Sequence, residues 1–351
     1  MWRKLVSLLV LALLGAGLLL YLGYRWLHTP LTLNEEQVYT LPQGGSLSQL
    51  SRDLDRQGIL DYPRLWVLYA RISGQDTVKA GEYRLTINET PISLLEKLRR
   101  GEVVTYAATL VEGWTFRDAL AYLQSQPKIT RVLGDDSALD AFLAELDLPG
   151  GHPEGWFFPD TYRYVAGNSD RDLLMQAHRR MRDILASEWA NRAGALPYES
   201  SYEALIMASI VERETGVPAE RGAIAGVFVR RLESNMRLQT DPTVIYGLAD
   251  EYDGNIRRQH LERVTPYNTY RISGLPPTPI ALPGREAIHA ALNPEPGDAL
   301  YFVAKGDGSH QFSATLEEHN RAVRQYQLRR TNDYRSAPAP AEPSSQTDQV
   351  P

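Results

Sequence analysis

The strongest hydrophobic pattern stands at the start of the chain. From Leu5 to Tyr24 the residues read LVSLLVLALLGAGLLLYLGY, and the next charge is Arg25. Twenty helical residues match the ~30 Å hydrocarbon core of a bilayer. The run is apolar on every face, unlike an ordinary core helix, which keeps a polar stripe. A cleaved signal peptide fits less well. The stretch is longer than the usual apolar region, and Tyr21, Tyr24 and Trp26 crowd the place where small cleavage-site residues belong. Arg3 and Lys4 precede the run, so the positive-inside rule keeps Met1 in the cytoplasm and puts the body of the chain outside. No second run of this length follows, which predicts a single-pass anchor.

Residues 25–37 form a polar juxtamembrane stretch. The pattern then predicts a strand at Val38–Leu41, a turn at Pro42–Gly45, a helix from Ser46 to Gln57, a helix at Pro63–Ile72, a strand at Gly81–Leu85 and a helix at Ile92–Arg100. Leu47, Leu50 and Leu54 recur at helical spacing behind Ser46, a suitable N-cap. This β-α-α-β order resembles a diverged LysM carbohydrate-binding module; a purely structural membrane-proximal domain fits the same order. Residues 104–200 mix a strand-like VVTYAATLV with amphipathic helices. Within them EGWFFPDTY (154–162) suits either a core or a sugar-stacking surface. Residues 336–351 carry four prolines and almost no aliphatics, so a disordered tail is expected there.

Composition removes several chemistries. A chain of 351 residues suggests two domains plus extras. The absence of cysteine excludes disulfides, thiolate metal sites and a cysteine nucleophile. A net charge of −6 argues against a nucleic-acid partner. The seven histidines show no HExxH spacing, and there is neither a G-x-S-x-G elbow nor a P-loop. No cofactor or metal is expected. Carboxylate chemistry remains.

Two carboxylates close the most informative helix, YEALIMASIVERET (202–215), which Ser200 and Glu203 introduce as a capping box and Gly216-Val217-Pro218 ends. Steps of ~100° place Ile206, Met207, Ala208, Ile210 and Val211 on one face, with Glu214 near its middle. Glu212 falls opposite, beside Ser209 and Arg213. A carboxyl on an apolar face at a helix C-terminus is expected to have a raised pKa, as a general acid requires. Pairing of Glu214 with a buried arginine is the structural alternative. A second amphipathic helix is expected at Ala219–Leu232. After it, Gln239-Thr240-Asp241-Pro242 interrupts two apolar strings like a cleft-lining loop. Amide, hydroxyl and aromatic groups at Pro266–Tyr270 suit sugar binding.

ASIVERE (208–214), RLQTDPTVIYG (237–247), YNTYRISGLPP (267–277), ALNPEPGDALYFVAKGDGSHQFSATLEEHN (291–320) and the earlier EGWFFPDTY resemble, in order, the motifs of the YceG-like endolytic murein transglycosylase family. The resemblance implies an enzyme of the cytoplasmic membrane that faces the cell wall. It would cut the MurNAc–GlcNAc β-1,4 bond of nascent peptidoglycan strands and leave 1,6-anhydro ends. It implies Glu214 as catalytic acid, the residue that the helix geometry also selects. Gln239, Thr240, Asp241, Tyr246, Asn268 and Tyr270 are carried over by motif as the glycan cleft. Arg213 stands where the pattern suggests Lys. Penicillin-binding proteins or other wall synthases are the partners implied. The expected fold is α+β: cytoplasmic residues 1–4, a transmembrane helix at 5–24, a linker at 25–37, a LysM-like domain at 38–103, a catalytic domain at 104–335 and the tail at 336–351. A lysozyme-like hydrolase using Asp241, or a glycan-binding scaffold without turnover, is the competing expectation.

Overall fold

The structure, a computed structural model, describes residues 2–327. It is a mixed α+β molecule whose described residues fall into two compact units. The tail at 336–351 lies outside the described residues.

The first unit holds residues up to Ala107 and a short return, Arg163–Asn168. Helix α1 (Trp2–Leu27) is followed by β1 (Gln37–Leu41), α2 (Leu47–Arg56), α3 (Pro63–Ile72), β2 (Gly81–Leu85) and α4 (Pro91–Arg100). Strands β1 and β2 pair antiparallel with Tyr39 opposite Tyr83. Local chemistry sets the helix starts. Ser46 Oγ accepts from Gln49 N, and Thr90 and Ser93 close a capping box. Leu50, Leu54, Trp66, Tyr83, Leu94 and Leu95 form the core, and Trp66 Nε1 donates to Pro91 O at 2.8 Å. Trimming Trp66 to Ala would cost ~3–5 kcal/mol. Residues 25–37 are more than a polar linker. Leu31 is buried, its N donates to Glu89 O, and Trp26, Leu27 and Leu33 pack on the same core. The helix at the start therefore runs past the expected Tyr24 and ends against folded protein.

The second unit begins in β3 (Thr105–Thr109), which pairs with β4 (Thr161–Val165); the unit boundary falls inside both strands. Helices α5 (Phe116–Ser125) and α6 (Asp136–Glu145) lie between those strands in sequence. Next come α7 (Asp170–Ala190), α8 (Ser201–Glu214), α9 (Arg221–Glu233), α10 (Asp241–Leu248), α11 (Arg258–Glu262) and α12 (Arg285–Leu292). The hairpin β5 (Tyr301–Ala304) and β6 (His310–Ser313) follows, and α13 (Leu316–Tyr326) packs on it.

Helix α8 sits at the centre, packed by α7, α9, α10 and α12. Every residue from Ala204 to Val211 is buried, so the expected single apolar face is wrong. Ser209 occupies the presumed polar face, yet it is fully buried, donating to Ile206 O and accepting from Ile280 N. A small hydroxyl whose bonds are all internal can enter a core. The capping box is also altered. Ser200 Oγ accepts from Glu203 N, but Glu203 reaches Glu199 N, one residue earlier than expected.

EGWFFPDTY belongs to the core. Trp156, Phe157 and Phe158 are buried, Trp156 stacks on Tyr202, and Phe157 lies against Phe116. Gly155 adopts φ +82°, and a Cβ there would stand 2.6 Å from Pro279. The sugar-stacking alternative for this run is thereby removed.

Candidate active site

The C-terminal end of α8 opens into a cleft of ≈ 960 Å³ within the second unit. A central helix buried on all sides is a stiff support for the two carboxylates at its end. Glu214 lines the cleft and is half-buried. Its Oε2 accepts from Thr240 Oγ1 at 2.7 Å. Burial pushes its pKa up to about 7; the Thr240 hydroxyl opposes the rise, nearby Asp241 adds to it, and Arg231 opposes it. Near neutral pH the group therefore interconverts between acid and base.

The loop before α10 makes the Thr240 contact possible. Gln239 takes a left-handed conformation, φ 54°, which is uncommon for a residue with a Cβ. Arg231, largely buried under the loop, donates to the carbonyls of Arg237 and Leu238 and to Gln239 Oε1, while its Nε holds Leu300 O. Thr240 N donates to Thr269 Oγ1, and Gln239 N to Thr269 O. Thr240 is thus fixed before it meets the acid. The expected cleft loop ends there, because Asp241 and Pro242 already start α10, where Pro suits a first turn.

Glu212 has different company. Its side chain is only 6% exposed, although it falls opposite the expected apolar face. One oxygen accepts from Gly284 N at 2.9 Å and the other from Arg221 Nη2 at 3.4 Å. Arg221 also bonds Glu286 and lies 3.7 Å from Glu112. Burial raises the Glu212 pKa, and Gly284 N and Arg221 oppose the rise. Arg213 is exposed and donates to Gly113 O.

Of the other sequence candidates, Gln239, Asp241 and Tyr270 line the cleft with Glu214, and the Tyr270 hydroxyl donates to Asp241 Oδ1 at 2.7 Å. Thr240 is buried behind the acid. Two candidates lie elsewhere. Asn268 is 1% exposed; its amide nitrogen donates to the carbonyls of His260, Leu261 and Arg263, and its oxygen accepts from Tyr270 N. It shapes the loop and has nothing left for a sugar. The Tyr246 hydroxyl donates to Glu154 Oε2 at 3.0 Å, away from the cleft lining. Glu154 also accepts from Phe116 N, and burial lifts its pKa to about 7.

Sequence reasoning missed Glu112, Arg231, Tyr301, His310 and His319, all on the cleft wall. Tyr301 stacks on His319 at 5.2 Å and on the Arg231 guanidinium at 5.1 Å, while His310 Nδ1 and Glu220 Oε2 lie 2.7 Å apart. Tyr301, His310 and His319 lie inside the quoted stretch 291–320, but nothing local in it marks them as neighbours of the end of α8. Among the described residues, no cluster of three or more His, Asp or Glu is placed to hold a metal ion.

The sequence profile of the YceG-like family matches residues 39–325. The chain belongs to the YceG-like family. A Bacillus subtilis relative named endolytic murein transglycosylase is 30% identical over 302 residues, covering 82% of this chain and 83% of the relative. A relative of the same name from Streptococcus pneumoniae D39 is 28% identical, with 92% of this chain matching 64% of its length. The crystal structure of a YceG-like protein from Listeria monocytogenes aligns with a TM-score of 0.51 at 30% identity, over 82% of this chain and 99% of that one. The YceG-like match spans both units, including all the residues around Glu214.

Proposed function

We propose that this chain is a membrane-anchored endolytic lytic transglycosylase, in which Glu214 acts first as acid and then as base. The supporting observation is a cleft carboxyl held by one neutral donor and pushed up to about 7 by burial. Protonated Glu214 gives its proton to the glycosidic oxygen as the bond from MurNAc C1 to that oxygen breaks. The substrate's own acetamido group stabilises the oxocarbenium-like centre. The MurNAc 6-hydroxyl then adds to C1, and its proton returns to the Glu214 carboxylate. No water is consumed, and the products are a 1,6-anhydro-MurNAc end and a free GlcNAc 4-hydroxyl. Ordinary glycosidases divide acid and nucleophile or base between two carboxylates; here one serves twice because the nucleophile belongs to the substrate. Gln239, Asp241 and Tyr270 hold the glycan, and Thr240 holds the acid.

Residues 38–103 act as a LysM-like glycan-holding module, a reading supported by their β-α-α-β order with paired outer strands; residues 104–335 are the catalytic region. Helix α1 is long and apolar enough to cross a membrane. With Arg3 and Lys4 at its start, it anchors the chain in the cytoplasmic membrane with the body facing the wall, beside wall synthases such as penicillin-binding proteins.

Asp241 lines the same cleft and favours one rival, a hydrolase with two carboxylates. Mass spectrometry of uncrosslinked glycan after incubation with the full chain decides between them. Anhydro ends are expected. Reducing ends would assign a hydrolase, and binding without cleavage would assign a scaffold.

A further inference from the structure

The outward face of α3 is apolar and largely exposed. Tyr62, Leu65, Leu68 and Ile72 are exposed, Ile72 by 79%. At ~100° per residue these four occupy one arc of about 120°. Trp66 and Ala70 point the other way, into the core of the first unit. Arg64 and Arg71, both exposed, run along one border of the arc.

This stripe begins beside the end of α1. The Tyr62 ring meets the Trp26 ring edge-on, with centroids 6.1 Å apart. Trp26 and Leu27 pack on the same core as Trp66, so the end of the apolar helix and α3 belong to one body. Tyr62 is held at φ 52°, a conformation rare for a bulky residue, as it caps α3 and presents its ring to Trp26.

We propose that α3 is an interfacial helix. Its apolar arc lies at the headgroup–acyl boundary of the bilayer that α1 spans, and Arg64 and Arg71 reach anionic lipid phosphates. The inference rests on the anchor reading of α1. Continuity selects lipid as the occupant, because the stripe starts at the aromatic residues Tyr24, Trp26 and Tyr62, which suit the membrane–water interface. An apolar arc bordered by arginines is also how interfacial helices divide their faces, with long basic side chains reaching the headgroups. The first unit would then be held to the membrane at two places, which restricts its tilt about the end of α1.

The chain has no cysteine, so single cysteines can carry an environment-sensitive fluorophore without background. Full-length Leu65→Cys, Ile72→Cys, Leu14→Cys in α1 and Arg52→Cys, at an exposed position of α2, are labelled and reconstituted in phosphatidylethanolamine–phosphatidylglycerol vesicles. Labels at 65 and 72 are expected to shift to the blue and lose most of their emission to spin-labelled lipids, as at 14, while the label at 52 stays accessible to aqueous iodide. Quenching at 14 with iodide access at 65 and 72 would overturn the surface and leave the anchor intact. Absence of lipid quenching at 14 would overturn the anchor, and this surface with it. Shielding of 65 and 72 from both quenchers would place protein there instead of lipid and equally overturn the proposal.

Discussion

Glu212 and Glu214 leave the same helix end two residues apart, and burial raises the pKa of both. Their partners separate them. Glu212 is tied to a backbone N–H and to Arg221, which also serves Glu286 and lies beside Glu112. Both line the cleft, but Glu214 has a neutral hydroxyl donor in place of a cation. A cation beside a carboxylate opposes its protonation, because it favours the charged form. A carboxylate held by a neutral hydroxyl can gain or lose a proton with its surroundings intact. The contrast teaches that raised pKa alone does not mark an acid catalyst; the partner decides whether the proton is free to move.

The largest expected effect comes from Glu214→Gln. Removing a general acid–base group lowers turnover by roughly 10²–10⁴-fold, read from cleavage of glycan strands. The same variant has a stability signature. Because folding raises the Glu214 pKa from 4.5 to about 7, the folded state binds the proton more tightly, and stability falls as pH rises from 4.5 through 7. Glu154 adds a parallel slope. Denaturant melts over that range are expected to show a shallower decline in Glu214→Gln than in wild type.

Glu212→Gln is expected to do the reverse. It weakens the Arg221 cluster and costs ~1–3 kcal/mol of stability by urea unfolding, while folded protein keeps its turnover within several-fold. A catalytic loss equal to that of Glu214→Gln would break the comparison. Thr240→Val sharpens it. Removing the donor that favours ionised Glu214 moves the alkaline limb of the pH–rate profile upward, since the acid stays protonated to higher pH. Tyr270→Phe is the mildest. Losing the bond to Asp241 raises KM with kcat nearly unchanged in steady-state kinetics.

Elements with strong local signals were legible in the sequence. The bounds of α3 and β2 match the expected Pro63–Ile72 and Gly81–Leu85, since Pro63 starts one and Gly81 the other. The α+β class and the position of Glu214 at the end of α8 were legible too. Helix geometry failed on the other side of α8, because Ser209 is buried by Ile280, seventy-one residues away in the chain. Asn268 looked like a sugar ligand because a binding amide and a loop-bracing amide have the same sequence signature. Arg231 and Tyr301 reach the cleft only through tertiary packing. Local pattern located a carboxyl that lines the cleft; long-range packing supplied the groups around it.

The central claim is that Glu214 carries its proton near neutral pH. Carboxyl-selective carbon NMR titration, comparing wild type with Glu214→Gln, isolates that group. One resonance absent from the variant is expected to titrate near pH 7. Its titration near 4.5 would contradict the account.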